Sequence, residues 1–455
     1  MPCEAPRIAQ RRGTADTGSS GDDPTPPCGG RLVTSVAAGF TRTFASLRNR
    51  NFRIFFTAQI VSVTGTWMQS IAQMWLVLHL TGSGFALGIT AALQFTPILL
   101  FGTWGGLLAD RLDKRKLLMV TQSAAGVVAL VLAGLTLGGV VQLWMVYVLA
   151  FSLGMVNVFD NPARQSFVTE MVGKDQLINA VGLNSAVFTL ARVIGPAIAG
   201  VLIAAVGTGW CFLYNGLSYF PVVFALLLMH PWELHRGRPS PRARGQIRAG
   251  IRYAWNRPEL RFPLLLMLVV GTLAFNFSVL MPLMARFVFN SGAGTFGLLM
   301  SFMGAGAFVG ALVSANRARP SHRLLAIAGI AFGAFLIGAA MAPTLPIELF
   351  VLLPLGAAMI TFQATANSLL QLNSDPAFRG RVMALYVMVF LGSTPIGGPI
   401  VGWVAEHFGA RTGLGLGGLA TLIASATLLW GLGRWQLGKL NRRHQSLTEG
   451  GLAAS

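Results

Sequence analysis

Twelve runs of about twenty mostly apolar residues, parted by short polar breaks, constrain this chain more than any other feature. A run of that length crosses roughly 30 Å of hydrocarbon only as a helix, because a helix satisfies every backbone N–H and C=O within itself. The runs lie at 53–79, 86–109, 117–138, 141–162, 178–206 and 210–230, then at 263–289, 294–315, 323–342, 346–371, 381–407 and 412–433. The breaks carry turn chemistry: Thr81-Gly82-Ser83-Gly84, Gly207-Thr208-Gly209, Ser291-Gly292-Ala293-Gly294 and Pro343-Thr344-Leu345-Pro346. Only 11% of the 455 residues are charged, against roughly 25% in soluble chains, so a water-exposed fold is excluded. The 54 glycines fit helices that approach one another closely in lipid.

A net charge of +19 would suit a nucleic-acid binder if the bases formed a patch. They form beads instead. Arg48, Arg50 and Arg53 open the first run, and Arg111, Lys114, Arg115 and Lys116 follow the second. Arg164 and Lys174 follow the fourth, Arg236 to Arg261 fill the central loop, and Arg317, Arg319 and Arg323 follow the eighth. Arg379 and Arg381 follow the tenth, and Arg434, Lys439, Arg442 and Arg443 close the chain. With twelve spans all these loops fall on one side, which the positive-inside rule makes the cytoplasm together with both termini. Arg192, Arg286 and Arg411 fall elsewhere. Nucleic acid is therefore not an expected partner; the lipid bilayer is. Cys3, Cys28 and Cys211 are too few and too scattered for a disulfide framework or a metal site, and no cofactor is expected.

The halves repeat. Ala163-Arg164-Gln165-Ser166 precedes a loop and a helix with Gly195-Pro196-Ala197-Ile198-Ala199-Gly200; Ala366-Asn367-Ser368-Leu369 precedes Gly398-Pro399-Ile400-Val401-Gly402 at the same distance. The expected organisation is a disordered cytoplasmic tail (1–50), a six-helix bundle (51–230), an Arg- and Pro-rich linker (231–262), a second six-helix bundle (263–433) and a cytoplasmic tail (434–455). Two six-span halves about a midplane site are a transporter arrangement.

Gly106-Leu107-Leu108-Ala109-Asp110-Arg111-Leu112-Asp113-Lys114-Arg115-Lys116, between the second and third spans, resembles the signature loop of the major facilitator superfamily, with Asp113 where that family usually has glycine. The Ala191–Gly200 segment resembles the superfamily's antiporter motif, which leans toward export. Gly65-Thr66-Trp67-Met68-Gln69, Asp160-Asn161-Pro162-Ala163-Arg164-Gln165 and Arg379-Gly380-Arg381-Val382-Met383 look like the bacterial exporter branch to which the enterobactin exporter belongs. The resemblance runs from about Leu47 to Leu432. It implies an all-α membrane protein with twelve transmembrane helices in two pseudo-symmetric bundles, placed in the bacterial inner membrane. It further implies proton-driven efflux of a small molecule such as a siderophore, drug or metabolite, by a protein expected to be monomeric.

On that resemblance Gly106, Asp110, Arg111 and Arg115 form a conformational latch to the eleventh span, with Asp160 and Arg164 as nearby partners. Gly195, Pro196, Gly200, Gly398, Pro399 and Gly402 form tight helix contacts. In the first span Gln59, Ser62, Thr66, Gln69 and Gln73 share one helical face, and polar atoms are costly against lipid; the face looks into a cavity or at a partner helix. Gln363, Asn367 and Gln371 repeat the device in the tenth. If spans one, four, seven and ten line the cavity, as the resemblance implies, Trp144, Tyr147, Asn157, Phe275 and Asn276 join it. Arg192 is basic and well inside a span, and either meets substrate or pairs with Asp160 or backbone carbonyls. For protons, Asp160 comes first and Glu406 second. The competing readings are a proton-coupled importer, a membrane enzyme and a membrane sensor. Six scattered histidines give an enzyme nothing to work with, and neither tail supplies a sensor domain.

Overall fold

The computed structural model describes residues 44–173, 175–235, 246–315 and 320–452. The chain divides into Met1–Ala45 and the unit Ser46–Ser455. Of the expected tail, residues 1–43 lie outside the described set, as do Arg236 to Arg244 of the linker and Arg317 and Arg319.

The first half is six helices: α1 (Arg50–Thr81), α2 (Gly84–Arg111), α3 (Lys114–Leu137), α4 (Leu143–Val172), α5 (Leu177–Val206) and α6 (Thr208–Leu228). Their ends are written locally. Asn49 caps α1 by accepting from the Phe52 N–H, Ser83 caps α2 from Ala86, and Asp113 caps α3 from Lys116. That cap accounts for Asp113 at a position where glycine was expected. Gly82, with φ of 65°, turns the chain between α1 and α2 in a conformation that only glycine adopts freely.

A short helix, α7 (Gln246–Trp255), lies in the linker. It docks on the eleventh span, where Tyr253 stacks on Phe378 at 4.2 Å and Arg257 pairs with Asp375 at 2.9 Å. The second half follows as α8 (Pro258–Leu273), α9 (Phe277–Leu283) with a π turn at Met284–Val288, then α10 (Ala293–Ala315), α11 (His322–Met341) and α12 (Leu345–Leu372). It ends with α13 (Pro376–Gly392), α14 (Thr394–Phe408) and α15 (Ala410–Leu452).

Among the described residues, eleven helical segments are long and apolar enough to cross a membrane. The twelfth span is α1, whose 32 residues reach about 48 Å; its stripe of Gln and Ser lowers its hydropathy without shortening it. Three expectations need correction. The seventh span, read as continuous over 263–289, breaks at Ala274–Asn276, and the eleventh, read as 381–407, breaks at Ser393. Pro395 in the first turn of α14 starts a new helix there. The two breaks adjoin, since a Cβ on Gly397 would collide with the Thr272 carbonyl and one on Gly271 would lie 2.6 Å from Ser393 Oγ. Finally, residues 45–48, within the stretch expected to be a disordered tail, form a helical turn.

The halves are built alike. In the first, α2 packs on α4, α3 on α4 and α6, and α1 on α5 and α6. In the second, α10 packs on α12, α11 on α12 and α15, and the seventh span on α14 and α15. Between halves the same symmetry pairs α5 with α10 and α14 with α2.

Candidate functional site

The seam between halves is made of glycine. A Cβ on Gly200 would lie 3.2 Å from the carbonyls of Ala293 and Gly294, and one on Gly304 would lie 2.9 Å from the Arg192 carbonyl. Gly297 meets the Pro196 carbonyl closely enough that no side chain fits. Across the second contact an added Cβ would lie 2.6 Å from the Gly402 carbonyl at Gly84, 2.8 Å from the Pro399 Cα at Gly88 and 2.9 Å from the Gly88 carbonyl at Gly398. Gly195 turns the other way, where an added Cβ would lie 2.5 Å from Trp67 Cβ of α1. Glycine is needed at these sites because backbones touch.

The glycine contacts of α5 with α10 and of α2 with α14 run from one end of the helices to about their middle, where Gly392 of α13 still meets Leu99 of α2. At the opposite end, where the Arg111–Lys116 loop and the Asp375–Arg381 turn lie, the glycines of the same spans (Gly106 of α2, Gly182 of α5, Gly380 of α13) have nothing within 4 Å of an added Cβ. Ile178, Val181 and Leu190 on that part of α5 are exposed, whereas Ala191, Gly195, Pro196 and Ala199 are buried. The halves are therefore joined at the end away from the basic loops and parted at the basic end.

A carboxylate completes the joined end. Glu406, near the end of α14, accepts from Ser83 Oγ at 2.5 Å and from the Phe85 N–H at 2.9 Å. It thus caps the N-terminus of α2 from the other half, where the unsatisfied N–H groups and the helix dipole both favour an anion.

The expected latch residues take other partners. Arg115 donates to the Leu226 carbonyl at 2.6 Å and the Leu227 carbonyl at 3.0 Å, closing the C-terminal end of α6 instead of pairing with an acid. Asp110 and Arg111 are exposed at the end of α2. The neighbour that needs to be small is Gly105, not Gly106, because its Cβ would strike the Val158 carbonyl of α4. Asp160 is buried at 2% exposure, ion-paired with Arg164, and accepts from Thr121 Oγ1 at 2.9 Å and Gln122 Nε2 at 2.7 Å.

The polar stripe divides. Gln69 accepts from Asn215 Nδ2 of α6 at 2.6 Å and so belongs to the interior of its own half. Gln59 is buried with neither end of its amide partnered, and the buried Gln73 has an unpartnered Nε2. Asn276 stands at the break of the seventh span, donates to the Thr272 carbonyl at 2.7 Å and leaves its Oδ1 unpartnered. Asn367 is half-buried and accepts from Gln371 at 3.0 Å; Gln363, Tyr147 and Asn157 are also half-buried. Trp144 is 59% exposed at the start of α4 and bonds Gln142, which suits the rim of a membrane span and not a central cavity. Arg192 does not reach Asp160; its guanidinium lies 5.4 Å from the Trp67 ring centroid, and its Nε is buried without an acceptor. Glu348, in the first turn of α12, is fully buried with both carboxylate oxygens unpartnered.

The fold matches known transporters. Residues 41–444 fit the family described as transmembrane secretion effector. The chain belongs to that family, a branch of the major facilitator superfamily. Among relatives, the staphyloferrin A transporter of Staphylococcus aureus is 25% identical over 380 residues, covering 81% of this chain and 93% of that protein. The multidrug efflux pump Tap of Mycobacterium tuberculosis is 28% identical over 383 residues, covering 80% and 90%. Among solved structures, a bacterial homologue of the iron transporter ferroportin in an inward-facing state aligns with a TM-score of 0.65 at 14% identity, over 84% of this chain and 98% of that one. The protein is thus a multi-pass membrane transporter of the secretion effector family and not an enzyme.

Proposed function

We propose that this secretion effector protein exports a small molecule, of siderophore, drug or metabolite type, across the bacterial cytoplasmic membrane by proton antiport. The observation that carries this is the seam: backbone contact joins the halves at one end while the other end is parted. A midplane site between two such halves is offered to each side in turn when they rock. The positive-inside rule places the parted, basic end and both termini in the cytoplasm, so the state described faces inward. The protein acts as a monomer, since each chain carries both halves of the path.

Glu406 is the better supported proton carrier of the two carboxylates named from sequence. Asp160 already holds an arginine and two further donors within one half, so taking a proton would only damage that half. Glu406 instead bonds across the seam. A proton arriving from outside removes the negative charge that accepts from Ser83 and Phe85, and the outer end is freed to part. Export is favoured over import because the Tap relative is a multidrug efflux pump.

The test uses inverted vesicles, a labelled siderophore or drug and an imposed pH gradient. Gradient-driven accumulation that falls at least about tenfold with a protonophore supports the reading. Accumulation indifferent to the gradient rejects antiport, and uptake confined to right-side-out vesicles reverses the direction to import. Glu406→Gln replaces the charged acceptor of Ser83 and Phe85 with a neutral amide, and is expected to keep substrate exchange while losing most gradient-driven transport. Equal loss of both would show that Glu406 only holds the fold.

Orientation has its own expected result. In a background with Cys3, Cys28 and Cys211 replaced by serine, Ser291→Cys should label with an impermeant maleimide from outside whole cells, and Asp375→Cys only after permeabilisation. The reverse pattern would overturn the placement of the basic end.

A further inference from the structure

We infer that Arg192 is an anion-recognition point where the parted halves first come together, so that the cargo carries negative charge, as a carboxylate, catecholate or sulfonate group. The inference rests on the transport reading above and adds to it the chemical class of what is moved.

Arg192 lies midway along α5, which spans Leu177–Val206. Its own carbonyl touches Gly304 of α10 in the other half, and Ser301 of α10 donates to the next carbonyl, that of Val193, at 2.8 Å. Toward the basic end of α5 the glycine contacts with α10 stop, and Gly182 of the same helix meets open space. Arg192 therefore stands where the parted halves first come together.

Charge comes next. A guanidinium cannot shed its proton in a protein, and a cation inside a membrane span needs a partner or a water-filled cavity. Arg192 has no carboxylate among the described residues. Asp160 is held by Arg164 and Glu170 by Lys114, while Glu406 is bonded to Ser83 and Phe85. Glu348 stands in the first turn of α12, away from the middle of the span where Arg192 lies. Nor does any described hydrogen bond use the five N–H donors of Arg192. Nε is sealed off without an acceptor, and the side chain as a whole is only half-buried.

The third element is the backing. Trp67 of α1 lies under the guanidinium at 5.4 Å, and Gly195 lets α5 close on the Trp67 Cβ. The aromatic face holds the planar fork in one orientation, which suits bidentate binding of a planar or tetrahedral oxyanion. The unpartnered amides of Gln59 and Gln73 belong to the same α1, which packs against α5; they can complete the polar environment of a ligand.

The test is ligand binding to the purified full-length protein in detergent, read by fluorescence polarisation. The probes share a xanthene scaffold: carboxyfluorescein is anionic and rhodamine 6G is cationic, with citrate as unlabelled competitor. The wild type should bind carboxyfluorescein at least about tenfold more tightly than rhodamine 6G, a difference of about 1.4 kcal/mol, and citrate should displace it. Arg192→Gln should abolish that preference without weakening rhodamine 6G, and Arg192→Lys should keep part of it. A wild type that shows no preference or favours the cation overturns the proposal, whether or not Arg192→Gln folds. So does an Arg192→Gln protein that retains the preference. Because binding in detergent needs no gradient, failure here is separable from failure of gradient-driven transport in vesicles.

Discussion

Gly88→Leu should shift the protein toward the state in which the outer end is parted. Any side chain at Gly88 meets the Gly398 carbonyl and the Pro399 Cα, atoms that cannot turn aside. Overpacking of this kind costs about 1–3 kcal/mol, but only in the conformation where α2 and α14 touch. The equilibrium between states therefore moves by roughly 5- to 150-fold, and steady transport falls by a similar factor because each cycle must pass through the disfavoured state. A cysteine at Ser301, a residue 7% exposed at the other seam contact, reports the change: maleimide should reach it faster from the side away from the basic loops. Gly134→Ala, at a position with nothing within 4 Å, serves as the control and should leave both rates alone. If Gly88→Leu also leaves them alone, the seam is not a working part.

The second large effect is on stability. Asp160→Ala removes the acceptor for Arg164, Thr121 and Gln122 inside the first half, leaving a guanidinium at low exposure with no counter-charge. Breaking a buried pair from one side costs about 3–5 kcal/mol. Replacing both partners should cost much less, since no orphaned charge remains. In detergent, Asp160→Ala should unfold at a markedly lower temperature, and Asp160→Ala with Arg164→Leu should recover a large part of the loss. Identical melting of the single and double variants would show that Asp160 serves Thr121 and Gln122, not the arginine.

Much of this architecture can be read from the chain, for reasons that also mark where reading fails. Hydropathy and the alternation of basic loops depend on residue type alone, so the spans are legible; α1 shows that a polar stripe can mask a span by composition without removing it. The breaks at Ala274–Asn276 and Ser393 leave the apolar runs uninterrupted, and hydropathy does not register three residues of altered backbone. Pro395 was the visible signal for the second break, and the first has none. Helical spacing put Gln59, Gln69 and Gln73 on one face, yet a face cannot say whether it looks at a cavity or at Asn215. Ser83 is recognisable as a helix cap from its neighbours, but its partner Glu406 lies 323 residues away, beyond any local pattern. The Gly-Pro segment was legible as a packing device because its chemistry is steric, and the structure gives its glycines neighbours on both α1 and α10.

A cell that stores energy as a voltage across its membrane survives only if its transporters do not short-circuit it. The glycine contacts of α2 with α14 and of α5 with α10 bear directly on this. Where two backbones meet without side chains, no room remains for a file of water molecules along which protons could hop. Electrical insulation in this protein thus rests on the absence of atoms at a few positions, independent of the polarity of anything nearby. A substitution that adds bulk there would threaten more than the turnover of cargo. If such bulk held this end ajar while the basic end stayed parted, the protein would leak ions, and the host would register this as slowed growth even with no cargo to move.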